Sequence, residues 1–94
     1  MRVIILYRPN SEHARSVEEF VQDFLRIQQK KVELISVDTR DGAATATLYD
    51  VMQYPTILSL RDDGQIIKTW EGEPLPLMSE VAYYAQEAQL TADY

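Results

Sequence analysis

Val3 to Tyr7 is an unbroken apolar run, Val-Ile-Ile-Leu-Tyr. Such a run, with no polar alternation, suits a central strand covered on both faces. Arg8, Pro9, Asn10 and Ser11 end it. Asn10 or Ser11 can cap a following helix, and Glu12 suits the positive end of its dipole. The spacing then predicts a helix from Glu12 to about Lys30. Val17, Phe20, Val21, Phe24 and Gln28 fall on one stripe, with Leu25 and Ile27 flanking it. Glu12, Arg15, Glu19, Asp23, Arg26 and Lys30 fall on the opposite, water-facing side. Lys30 and Lys31 close the helix with the sign its C-terminal end prefers.

Val32 to Val37 predicts a second strand. A strand, a helical crossover and another strand make a βαβ unit, so the two strands are expected to be parallel. Asp38 to Gly42 reads as a turn, and Ala43 to about Val51 as a short helix. Pro55 has no N–H to give a sheet, so it belongs at the first residue of a strand or at its edge. It also holds Tyr54 extended, in the kind of tight turn where cis prolines occur. Thr56 to Arg61 is the next strand. Asp62-Asp63-Gly64 signals a hairpin, with Asp-Gly supplying positive φ, and Gln65 to Trp70 is the returning strand. Glu71 to Pro76 is a loop. Leu77 to about Gln89 is a last helix with Met78, Val81, Ala82, Ala85 and Ala88 inward, and Leu90 to Tyr94 is expected to fray. The order β-α-β-α-β-β-α defines an α/β class. It predicts one domain over 1–94, a four-stranded mixed sheet with helices on both faces.

Composition removes more functions than it suggests. The 94 residues, 46% apolar and 26% charged, suit one ordinary core. There is no cysteine, which excludes disulfides, zinc–thiolate sites, iron–sulfur clusters and thiol nucleophiles. Nine basic residues against fifteen acidic ones leave a formal charge of −6. Apart from Lys30-Lys31 the basic residues are scattered, so nucleic acid and anionic membrane surfaces are not expected partners. The N-terminal apolar run is too short for a signal segment or a membrane span. A cytoplasmic location is the resulting expectation.

The residues Tyr49-Asp50-Val51-Met52-Gln53-Tyr54-Pro55-Thr56 resemble the segment of the thioredoxin superfamily that leads into its cis-proline and following threonine. Thr56 to Gly64 is similar to that family's hydrophobic strand and hairpin. Gly72 matches the glycine after its last strand. Leu6-Tyr7-Arg8-Pro9-Asn10-Ser11 resembles the first strand of glutaredoxin-like members running into the active-site turn. The likeness covers nearly the whole chain. It implies a thioredoxin-like sheet of order 2-1-3-4, with β1 parallel to β2 and β3 antiparallel to β4.

The departures matter as much. Where the family carries two cysteines, this chain reads Ser11-Glu12-His13-Ala14. The buried aspartate beneath the family's thiols is matched by Ile5, and its partner lysine falls near Leu34. Disulfide exchange needs a thiolate that attacks sulfur, and serine cannot form the mixed disulfide. The resemblance therefore implies a redox-inactive member, and no enzymatic activity or cofactor is expected. In the family, the residue before the cis-proline offers its backbone to an extended peptide, which needs no cysteine. This implies a peptide groove formed by Asn10, Ser11, Glu12, His13, Tyr54, Pro55, Thr56 and Gly72, with Tyr54 as aromatic anchor.

Other chemistry is weaker. Ser11 as nucleophile needs a base, and His13, two residues on, points to another helix face. An N-cap role for Ser11 is the simpler reading. One histidine beside Glu12 is a poor metal set, so His13 is read as a solvent-exposed side chain near a helix start. Trp70, Tyr7, Tyr49, Tyr83 and Tyr84 read as core or edge packing. Two alternatives to a protein- or peptide-binding module stand. One is a glutathione-binding, transferase-like domain that uses the hydroxyl of Ser11 or Tyr7. The other is a structural domain of a larger assembly; self-association into a homo-oligomer is an open expectation for the binding module.

Overall fold

A computed structural model describes residues 2–85. The strands are β1 (Arg2–Tyr7), β2 (Glu33–Ser36), β3 (Thr56–Leu60) and β4 (Ile66–Glu71). The helices are α1 (Ala14–Gln28), α2 (Arg40–Leu48) and α3 (Met78–Tyr83). The sheet order is β2-β1-β3-β4, with β1 parallel to β2 and the other two pairs antiparallel. This is the thioredoxin-like topology that the element order and the resemblance imply.

The unbroken apolar run of β1 is explained by its position between β2 and β3. Val3, Ile5 and Tyr7 pack on one face with Ala14, Val17, Phe20 and Phe24 of α1, and with Val81 and Ala82 of α3. Ile4 and Leu6 pack on the other face with Ala46 of α2 and with Leu58 and Leu60 of β3. Leu25 and Ile27, which flank the α1 stripe, remain half exposed.

Both longer helices begin where local hydrogen bonds allow, and this shifts their bounds from the sequence expectation. α1 starts at Ala14 rather than Glu12, because residues 8–13 are held in turns by Ser11 N–H to Arg8 C=O and Ala14 N–H to Ser11 C=O. It ends at Gln28, before the two lysines. Gln29 adopts φ 55° and its N–H closes on Leu25 C=O. α2 starts at Arg40, inside the expected turn. Thr39 is extended there, and its Oγ1 accepts the Gly42 N–H at 2.9 Å, an N-cap bond. α2 ends in a Schellman motif: Asp50 has φ 56°, Val51 N–H bonds Ala46 C=O and Asp50 N–H bonds Thr47 C=O.

In the β3–β4 hairpin only Gly64 has positive φ, at 91°, and the three-residue loop closes through Gly64 N–H to Arg61 C=O. β3 ends at Leu60, and β4 runs one residue beyond Trp70 to Glu71. A register shift near Ser59 leaves Ile67 as an extra residue in β4. The inward positions Met78, Val81, Ala82 and Ala85 of the last helical segment pack on the core. Ala88, the predicted run to Gln89 and the predicted frayed tail lie outside the described residues.

Arg2 and Glu33 join the start of β1 to β2 through a two-pronged ion pair, at 2.8 and 2.9 Å. The Arg2 guanidinium, by hydrogen bond and charge, holds the Glu33 carboxyl below its ordinary pKa. A carboxylate whose folded pKa is depressed stabilises the fold above its unfolded pKa, roughly 4.3 for glutamate. That contribution is lost as pH falls through the lower folded value. Both side chains are about half exposed, so the effect is small and salt-sensitive. Glu33→Gln should flatten the acid limb of a stability-versus-pH curve, read by urea denaturation. An unchanged limb would show the pair to be energetically silent.

Candidate functional site

The site lies at the C-terminal end of β1, where open α/β sheets place their ligands. The chain leaves β1 at Tyr7 and turns tightly through residues 8–13. Ser11 Oγ donates to Arg8 C=O at 2.6 Å. Arg8 N–H donates to His13 Nε2 at 3.2 Å. His13 is therefore a buried turn-closing residue, 9% exposed, and not the solvent-exposed side chain expected from the sequence. Neither Asn10 nor Ser11 caps α1; His13 occupies the N-cap position and makes no side-chain cap bond. Ser11 and His13 are each tied to Arg8 backbone. This arrangement does not form a nucleophile–base pair.

With both backbone groups held by the turn, the Arg8 side chain crosses to the α2 face. Its guanidinium lies 5.2 Å from the Tyr54 ring centroid and 3.7 Å from Asp38 Oδ1. A cation over an aromatic face contributes roughly 0.5–1 kcal/mol at exposed sites. Arg8 thus links the turn after β1 to the corner before β3. Sequence reasoning missed it. The available signal was its place as the first residue past the β1 strand.

The second half of the site is the corner at residues 53–56. The Tyr54–Pro55 peptide bond is cis. Pro55 is fully buried, and its C=O accepts Gly72 N–H at 2.7 Å. Thr56 Oγ1 donates to Gln53 C=O at 2.6 Å. Gly72 has φ 72°, and a Cβ there would lie 3.0 Å from Gln53 Oε1. Thr56 and Gly72 therefore lock the corner from both sides. Neither the N–H nor the C=O of Tyr54 has a hydrogen-bond partner among the described residues.

A cleft of about 420 Å³ opens beside this corner, on the α2 face. Arg8, Val37, Ala46, Asp50, Val51 and Tyr54 line it, together with the exposed Met52. Its lining mixes apolar side chains with the polar groups of Arg8, Thr47, Asp50 and Tyr54, and a concave surface that offers both kinds of contact can hold a ligand side chain. Asn10 and Glu12 are exposed on the neighbouring turn and do not line it. Of the eight residues read from the sequence, only Tyr54 lines it directly. Ser11 and His13 position Arg8, and Pro55, Thr56 and Gly72 position Tyr54.

Tyr7 is set apart from this cleft. Its ring is buried with α1 and α3 on the opposite face of the sheet. Burial, and then the nearby Glu18 carboxylate, push its phenol pKa upward. No cluster of three or more potential metal-ligating side chains occurs among the described residues. No described helix is long and apolar enough to cross a membrane.

These observations define a thioredoxin-like α/β fold with a cleft beside its proline corner. Among solved structures the chain is similar to thioredoxin 1 from the thermophilic eubacterium Thermosipho africanus. The TM-score is 0.68 with 15% sequence identity, and the match covers 100% of each chain. At that identity the likeness establishes the fold. Comparison with protein-family models finds no match, and neither does comparison with curated proteins.

Proposed function

We propose that this chain is a binding module for an extended protein segment, held at the Tyr54–Pro55 corner. One observation carries the reading. The backbone N–H and C=O of Tyr54 are unpaired among the described residues, and Tyr54 itself lines the cleft. An extended segment that paired with them would add two main-chain hydrogen bonds, and one of its side chains would enter the cleft, β-augmentation on a small scale. The Arg8–Tyr54 stack presents a flat aromatic and a guanidinium, the two kinds of side chain enriched at binding hot spots. A chain without cysteine has no thiolate for disulfide exchange, which supports recognition over redox chemistry.

The glutathione alternative loses support from geometry. The Tyr7 hydroxyl lies on the far face of the sheet, with a phenol made less acidic by burial. The Ser11 hydroxyl is engaged with Arg8 C=O.

The test is amide chemical-shift mapping of the whole chain, titrated with pools of unstructured peptides rich in apolar residues. Shifts should concentrate at Arg8, Val51 and Tyr54. Tyr54→Ala should weaken the best peptide roughly 30-fold, the loss of a hot spot worth about 2 kcal/mol. A parallel titration with glutathione at millimolar concentration serves as the rival arm. Shifts with glutathione alone, abolished by Ser11→Ala, would replace this reading with the alternative.

A further inference from the structure

We infer that the β4 edge is a self-association surface, through which two copies pair antiparallel about Thr69 into one continuous eight-stranded sheet. β4 is the longer of the two sheet edges, six residues against four in β2. Its hydrogen-bonding direction follows from one contact. Gly72 N–H bonds Pro55 C=O, so residues of that parity, Trp70 and Lys68, face β3. Thr69 and Glu71 then turn their N–H and C=O outward, where they have no partner among the described residues. An edge of this kind is a template for another strand.

The side chains select one register. A two-fold axis through the sheet keeps each side chain on its own face, so it must pass through a residue pair of like parity. Centred on Lys68, it sets two ammonium groups opposite one another, which is destabilising. Centred on Trp70, it sets Lys68 opposite Gly72. Centred on Thr69, it pairs threonine with threonine and places Lys68 opposite Trp70 of the second copy. Trp70 lies on the α1 and α3 face, and its Nε1–H holds the Glu80 carboxylate at 2.7 Å. Lys68 has no ion pair among the described residues. Across the axis it meets both an indole face and a carboxylate, twice per dimer. This complementarity of Lys68 with Trp70 and Glu80 identifies the partner as a second copy of the chain.

Sedimentation equilibrium of the full chain, carried up to millimolar concentration, should show a monomer–dimer equilibrium. Hydrogen exchange gives the register. Protection of the Thr69 and Glu71 N–H groups should rise with concentration, while Lys68 and Trp70, already bonded to β3, stay protected throughout. Thr69→Pro removes an outward N–H without touching the β3 ladder and should leave a monomer. Lys68→Glu should weaken the dimer about tenfold or more through repulsion from Glu80, and adding Glu80→Lys should restore part of it. Lys68→Glu carries the test if Thr69→Pro fails to fold. A monomer at every concentration overturns the inference, as does a dimer that Lys68→Glu leaves intact.

Discussion

Gly42→Ala should destabilise the protein by roughly 2–4 kcal/mol, although the residue sits in a helix. In an ordinary helix interior the same change is stabilising by about 0.5–1 kcal/mol, because glycine loses more backbone entropy on folding. Here a second effect opposes it. A Cβ on Gly42 would lie 1.8 Å from the Ser36 carbonyl oxygen, 2.7 Å from its carbon and 2.9 Å from Thr39 Oγ1. The first two contacts are backbone at the end of β2, which cannot rotate away. Relief requires α2 to lift by more than about 1 Å, and packed interiors respond to such shifts at a cost of kcal/mol. The lift also strains the Thr39 cap and moves Ala46, so the cleft should be disturbed as well. Ala44→Gly, exposed in the same helix, is the control and should cost only the propensity difference of about 1 kcal/mol. Denaturant titration of both variants decides the point. A Gly42→Ala protein as stable as the parent would mean that α2 does not approach Ser36 so closely.

Phe24→Ala should cost about 3–5 kcal/mol. The side chain is fully buried on α1, stacked on Phe20 with ring centroids 5.8 Å apart. Its loss leaves a cavity beneath the sheet, in the cluster that also holds Val17 and Ile5. A domain of this kind has a total stability of about 5–15 kcal/mol, so the variant would retain a small margin or unfold. Leu25, the next residue, is 51% exposed. Leu25→Ala should change stability by less than about 1 kcal/mol. Two adjacent apolar residues thus give a sharp comparison. Similar losses at both would mean that α1 is rotated from the orientation described here.

Main-chain geometry explains why Arg8 belongs in a site when Tyr7, its neighbour, does not. Successive residues of a strand point to opposite faces of the sheet. Tyr7 therefore joins α1 and α3, and Arg8, held by His13 and Ser11 through its backbone, reaches Tyr54 on the α2 side. The turn spans only a few residues, yet it carries the chain from one layer to the other.

The sequence reading and the structure agree where information is local. The unbroken run Val3–Tyr7 can only be satisfied between two other strands, and it lies between β2 and β3. The stripe Val17, Phe20, Phe24 sets which side of α1 is buried, because helical periodicity needs no distant partner to be legible. The absence of thiols is likewise a property of the chain as written. Other features depend on how turns and elements are placed against one another, which periodicity does not record, whether the partner is near or distant in sequence. His13 is buried because Arg8 offers it an N–H, Gly42 lacks a side chain because Ser36 stands against it, and Arg8 rests on Tyr54 across 46 positions. Periodicity tells which side of an element is apolar. It carries no record of which turn will face which, and in this protein the cleft is made of turns and helix ends brought together by the packing of α2 on the sheet.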